Sequence, residues 1–231
     1  MEKILFISEN IPDSTKELLC TKGFSVRKLR KESSLPDAVS SHADMLIFSS
    51  SKALITAKNY YNSNKDIFEG SRVKCSNDTF GNVYPRDIIF NAFEINNTLF
   101  GKTDSLSSDV IKLYKKKVYL SQGYAKCSTL IFGNNAITAD TGICKALSAF
   151  GINTLLINPA SILLPGYNYG FIGGASFVFD KYVMFFGDLT LHPDSAEIID
   201  FIETNGFLPI YDKSCPLTDF GGAVIDKTQS L

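Results

Sequence analysis

The sequence predicts an α/β protein, a five-bladed ring of strand–strand–helix–strand units in which the N- and C-terminal segments close one unit. Three observations carry that expectation. A hairpin of short apolar segments recurs ahead of each helical stretch, a third apolar segment follows it, and each chain end lacks what the other supplies. The chain has 231 residues, 45% of them hydrophobic and 20% charged, which is enough apolar matter for one full domain spanning 1–231.

The repeat is clearest in residues 122–158. "CSTLIF" reads as a strand, "GNN" as a turn tolerant of positive φ, and "AITA" as the returning strand. "DTGICKALSAFG" starts on the N-cap Asp140, runs with helical spacing and stops at Gly151 before the strand "NTLLIN". Residues 86–121 repeat the order as "DIIFNAFEI", "TLFG", "SLSSDVIKLYKK" and "KVYLS". Residues 170–214 repeat it as "GASFVF", "YVMFFG", "HPDSAEIIDFIETNG" and "FLPIYD". Residues 44–76 give "DMLIFSS", "SKALITA", a poorer helix in "KNYYNSNKDIFEG" and "RVKCS". The fifth unit joins 219–231 to 1–29: "FGGAVID" supplies its first strand, and "KILFIS", "DSTKELLCTKG" and "FSVRKL" supply the rest.

Composition excludes several function classes. A formal net charge of −1 gives no electrostatic reason to expect nucleic acid or an anionic membrane surface. No signal peptide is expected, since "MEKILFISEN" carries no basic-then-apolar segment, and no membrane span, since the apolar runs fall well short of roughly 18 residues. Five cysteines without a CxxC pair read as free thiols of a cytoplasmic protein, and two histidines make a histidine-rich metal site improbable. No metal or other cofactor is expected, and the oligomeric state is left open.

The motifs "YPRDIIFNAF", "QGYAKCSTLIF", "LPGYNYGFIGGAS" and "PLTDFGG", in their order along the repeat, resemble those of an uncharacterised bacterial family of the pentein fold. That fold is the α/β propeller of the guanidino-group-modifying enzymes, among them arginine deiminase, dimethylarginine dimethylaminohydrolase and the amidinotransferases. "VYPRDIIF" is similar to the "YTRDP"-like segment of arginine deiminases, whose acid faces a central pore and holds the substrate guanidinium. The resemblance makes Asp87 the pore acid, with Arg86 beside it. A structural ion pair closing a strand end is the alternative reading of Arg86 and Asp87.

The same resemblance shows what is missing. Guanidine hydrolysis needs a thiolate, a histidine and carboxylates. Gln122 or Tyr124 stands where the enzymes carry the acid of an "EGGD"-like motif. Phe171 and Gly173 take the histidine and second-acid positions, and Ile225 or a close neighbour takes the cysteine position. The usual chemistry is therefore not expected, and no catalytic residue can be assigned.

Three readings stay open. One is a polar pore binding a small polar or guanidine-like ligand through Asp87, Arg86, Gln122, Tyr124, Lys126, Cys127, Tyr169 and Asp219. A second is an enzyme with a rebuilt centre using Cys127 or Cys215. The third is a non-catalytic interaction protein, like the pentein-fold ribosome-associated initiation factor. "LTLHPDSAEI" reads as a helix cap at Asp194 or Ser195, the alternative being an acid–base pair of His192 with Asp188.

Overall fold

The computed structural model describes residues 3–159 and 161–226. The elements run in chain order as β1 (Lys3–Ser8), α1 (Asp13–Thr21), β2 (Phe24–Leu29), α2 (Ala43–Leu46), β3 (Ile47–Ser49), β4 (Leu54–Ala57), α3 (Lys58–Ser63) and β5 (Val73–Ser76). Next come β6 (Phe93–Ile95), β7 (Thr98–Gly101), α4 (Ser108–Ile111), β8 (Lys116–Tyr119), β9 (Thr129–Phe132), β10 (Asn135–Thr138), α5 (Thr141–Ala149) and β11 (Asn153–Leu156). The last are β12 (Ser176–Phe179), β13 (Tyr182–Phe185), α6 (Ser195–Thr204), β14 (Leu208–Tyr211) and β15 (Ala223–Ile225).

The strands form five three-stranded sheets, ordered β15-β1-β2, β3-β4-β5, β6-β7-β8, β9-β10-β11 and β12-β13-β14. In each, the first two strands are antiparallel and the last two parallel. A parallel step needs a crossover, and a helix supplies it each time. The chain ends meet as expected: β15 pairs antiparallel with β1 through Leu5↔Ile225 and Ile7↔Ala223. Hairpins turn where side chains tolerate positive φ, at Asn96 (49°) and Asn97 (61°) and at Asp180 (49°).

The chain divides into two compact units. One holds the residues up to Ala125 together with those from Ala223 onward, and the other is Lys126–Gly222. In the first, Phe6, Tyr60, Phe68, Phe80 and Phe90 form a linked series of ring contacts with centroids 5.3–6.4 Å apart. In the second, Leu130, Phe132, Val183, Phe185, Ile198 and Ile202 share one apolar core. Helix α5 is capped as its sequence predicts, the Asp140 carboxylate accepting from the Ile143 N–H at 2.8 Å.

Three expectations change. Residues 44–46 belong to the helical turn α2 rather than to a strand: the Met45 and Leu46 N–H groups donate to the His42 carbonyl at 3.2 and 3.1 Å, and a run buried throughout carries no periodicity that tells the two apart. The strand expected from Asp87 begins only at Phe93; Ile88, Ile89 and Phe90 are buried consecutively in turns closed by bonds such as Asn91 N–H to Ile88 O at 2.9 Å. Helix α4 is a single turn capped by Ser107, since Tyr114 turns inward to donate to Glu94 at 2.9 Å and the lysines beyond it feed β8. Among the described residues, no helix is long and apolar enough to cross a membrane.

Candidate functional site

The segment 80–92 hangs between two packed rings, Phe80 and Phe90, whose centroids lie 5.5 Å apart edge to face. Between these anchors the chain first loops out, exposing Asn82 to Arg86, and then dives inward from Asp87. The Tyr84–Pro85 peptide bond is cis. The inward turn of the chain at Asp87 takes the two neighbouring charges to different places. Asp87 is 1% exposed, while Arg86 is exposed and makes no ion pair with it.

Asp87 is only half satisfied. The Tyr124 hydroxyl donates to its Oδ2 at 2.5 Å, and its buried Oδ1 has no hydrogen-bond partner among the described residues. Tyr124 is held in turn by Gln122, whose Oε1 accepts from the Tyr124 N–H at 3.1 Å. The Tyr84 ring lies 6.0 Å from that of Tyr124 and rests on Gly123. A Cβ at Gly123 would stand 2.5 Å from Tyr84 Cε2, so only glycine lets the ring sit there. Asp87, Gln122 and Tyr124 are thus brought together, and Arg86 is not.

The first unit holds a second buried acid that the sequence reading passed over. Asp44 is 2% exposed, and neither carboxylate oxygen has a hydrogen-bond partner among the described residues. Around it the polar run Ser40–Ser41–His42 is also buried, and Ser41 Oγ meets Ser8 Oγ at 2.7 Å. Asn91 reaches over to donate from Nδ2 to the Asp44 carbonyl at 3.1 Å. Asp44 precedes β3 by three residues and Asn91 precedes β6 by two, so both lie just ahead of an opening strand. The signal was available in "SSHADMLIF", a polar run abutting an apolar one, but only its apolar half was used.

In the second unit Asp219 is 2% exposed and is occupied by backbone donors. Its Oδ2 accepts from the Phe171 N–H at 2.9 Å and its Oδ1 from the Gly221 N–H at 2.9 Å. A Cβ at Gly174 would fall 2.0 Å from Asp219 Oδ1, and one at Gly173 would fall 2.4 Å from the Lys126 carbonyl oxygen. The glycine pair therefore serves close backbone approach. Cys127 is 3% exposed, and its carbonyl accepts from the Gly174 N–H at 3.0 Å. Lys126 is half-buried and its carbonyl accepts from the Thr129 N–H. Tyr169 is exposed and packs edge-on against Phe171 at 6.2 Å.

Four further residues weighed from the sequence are accounted for locally. His192 Nδ1 accepts from the Asp194 N–H at 3.1 Å, while Asp188 Oδ1 accepts from Thr190 N–H and Oγ at 2.9 and 2.6 Å. Asp194 stands at the N-cap position of α6, yet its carboxylate accepts from Asn158 instead of capping. Burial raises the Cys215 thiol above its ordinary pKa, with Asp212 adding to the effect, the opposite of what a nucleophile needs. Among the described residues, no group of three or more His, Cys, Asp or Glu side chains could hold a metal ion.

Residues 6–224 match the profile of DUF6873, a family of unknown function. The chain belongs to that family. No curated protein matches it significantly. Among solved structures it is similar to a dimethylarginine dimethylaminohydrolase adduct with 4-chloro-2-hydroxymethylpyridine, at 11% identity, 93% coverage of both chains and a TM-score of 0.57. The enzyme of that name from Pseudomonas aeruginosa, complexed with citrulline, gives 12% identity, 93% of both chains and 0.55. An amidinotransferase from Microseira wollei gives 11%, 93% of this chain, 78% of its own and 0.55. At such identity the likeness establishes the fold alone. With the five ββαβ sheets it places this DUF6873 protein in the pentein class.

Proposed function

We propose that this DUF6873 protein binds a small organic cation, of guanidinium or ammonium type, through the buried carboxylates of its first unit. The observation that carries the reading is Asp87 Oδ1, buried beside a Tyr124-bonded Oδ2 and without a partner of its own among the described residues. Burying a carboxylate oxygen unpaired is costly, and a cation bearing N–H donors recovers that cost. Asp44 offers a second such carboxylate. The resemblance puts Gln122, Phe171, Gly173 and Ile225 where the guanidine hydrolases carry acid, base, acid and thiol. The raised Cys215 thiol adds no replacement nucleophile. The function is therefore binding without thiol-dependent hydrolysis.

The test compares methylguanidinium with methylurea, its neutral planar counterpart, by ligand-induced change in melting temperature. Methylguanidinium should stabilise the protein saturably, methylurea should not, and Asp87→Asn should abolish the difference. Equal responses to the two probes, or a full response in Asp87→Asn, would overturn the reading. Turnover of arginine or a methylated arginine that is lost in Cys127→Ala or Cys215→Ala would replace it with a rebuilt enzyme centre.

A further inference from the structure

Arg86 leaves the buried centre and lines a cavity of about 460 Å³ within the first unit, together with Asn77, Asp78, Thr79, Asp104 and Ser105. The charges in that wall are not equally satisfied. Asp78 Oδ2 accepts from Ser107 Oγ at 2.7 Å, the Ser108 N–H at 2.9 Å and Ser76 Oγ at 3.3 Å. Asp104 accepts from Ser105 Oγ at 2.8 Å and has Lys102 Nζ at 3.7 Å. Each acid therefore has donors on one of its oxygens. The Arg86 guanidinium has neither a hydrogen-bond nor an ion-pair partner among the described residues. Of the three charged side chains in that wall, Arg86 is the one without a partner among the described residues.

The backbone presents that guanidinium from a fixed base. The Arg86 N–H donates to the Val83 carbonyl at 2.9 Å, and its own carbonyl accepts from the Gly81 N–H at 3.2 Å. A Cβ at Gly81 would stand 2.8 Å from Arg86 Cβ, so the tight turn depends on glycine there. A donor whose origin is held this way gives up less freedom on binding than one on a loose loop.

We propose that this cavity binds a small oxyanion, a carboxylate or phosphoryl group, gripped by the planar Arg86 fork as a bidentate pair. Thr79 contributes a hydroxyl donor in the same wall. The site is separate from the Asp87 centre, because the two side chains leave the loop for different surroundings.

The experiment follows the arginine Nε–Hε signals of ¹⁵N-labelled protein at constant ionic strength while inorganic phosphate or succinate is added. The Arg86 signal should move saturably with at least one probe, at or below about 10 mM. Saturation by phosphate alone identifies a phosphoryl ligand, by succinate alone a carboxylate, and by both the shared oxyanion chemistry. Arg86→Ala, at an exposed position, should keep the melting temperature and lose the titration. Arg86→Lys keeps the charge but not the fork, and should bind at least about tenfold more weakly. Asp87→Asn should leave the titration unaltered, so this outcome is independent of cation binding. No saturable shift with either probe, or equal binding by Arg86→Ala, overturns the proposal.

Discussion

Asp87 and Asp219 are both buried acids in segments leading into an opening strand, one in each compact unit, and their surroundings differ in one respect. Asp219 has a backbone N–H on each oxygen, whereas Asp87 has one oxygen on Tyr124 and the other without a partner among the described residues. The first arrangement is how a carboxylate holds loops together, as an acceptor for donors that would otherwise be buried unpaired. The second leaves acceptor capacity that folding has not used. Burial alone does not separate the two roles, since the residues are 2% and 1% exposed. The count of filled acceptor sites does.

The largest expected effect is structural and falls on the saturated acid. Asp219→Ala strands the Phe171 and Gly221 N–H groups and should cost about 2–5 kcal/mol of unfolding free energy. Gly174→Ala should cost a similar amount, because its Cβ would fall on Asp219 Oδ1. Chemical denaturation measures both, and near-native stability in either would erase the contrast with Asp87.

A smaller effect, of opposite sense, is expected at Asp44. Its carboxylate has no partner among the described residues to lose, so Asp44→Asn should be neutral or stabilising in the absence of ligand. A loss above about 1 kcal/mol would mean that Asp44 is held as Asp219 is.

The smallest expected effect is a pH dependence in the second unit. Burial lowers the His192 pKa below 6.5, the influences of Asp194 and Asn158 opposing it only in part. A histidine whose folded pKa is depressed takes up protons first in the unfolded chain, so stability rises with pH between the two values. The contribution is complete above about pH 6.5 and is lost as pH falls from there toward the folded pKa. Melting temperature followed downward from pH 7 should show this slope, and His192→Gln should remove it. An unchanged slope would assign the pH dependence to other groups.

Much of the fold was legible because its signals are local. Asp140, the 3.6-residue spacing after it and Gly151 define α5 without any tertiary knowledge, and the Asn96–Asn97 turn defines its hairpin. The pairing of β15 with β1 was legible from a missing strand at one end and a spare one at the other. Residues 44–46 and 87–92 were misread for one reason: an apolar run buried on all sides carries no alternation, and its pattern fits a buried strand as well as a buried turn. The candidate site was legible only as residue types. Asp87 and Tyr124 stood among the candidates, but their bond spans 37 positions. The backbone partners of Asp219 have no sequence signature at all, since every non-proline residue offers an N–H.

The most direct measurement is calorimetric titration of methylguanidinium into the native protein, Asp87→Asn and Asp219→Asn, with denaturant unfolding of the same three samples. Native protein and folded Asp219→Asn should bind alike, while Asp87→Asn should lose about 2–5 kcal/mol of binding free energy. Stability should show the reverse pattern, with Asp219→Asn weakened and Asp87→Asn near native. Binding that survives in Asp87→Asn, or a melt in which Asp87→Asn is the weaker of the two variants, would contradict the assignment of Asp87 to the ligand and Asp219 to the fold.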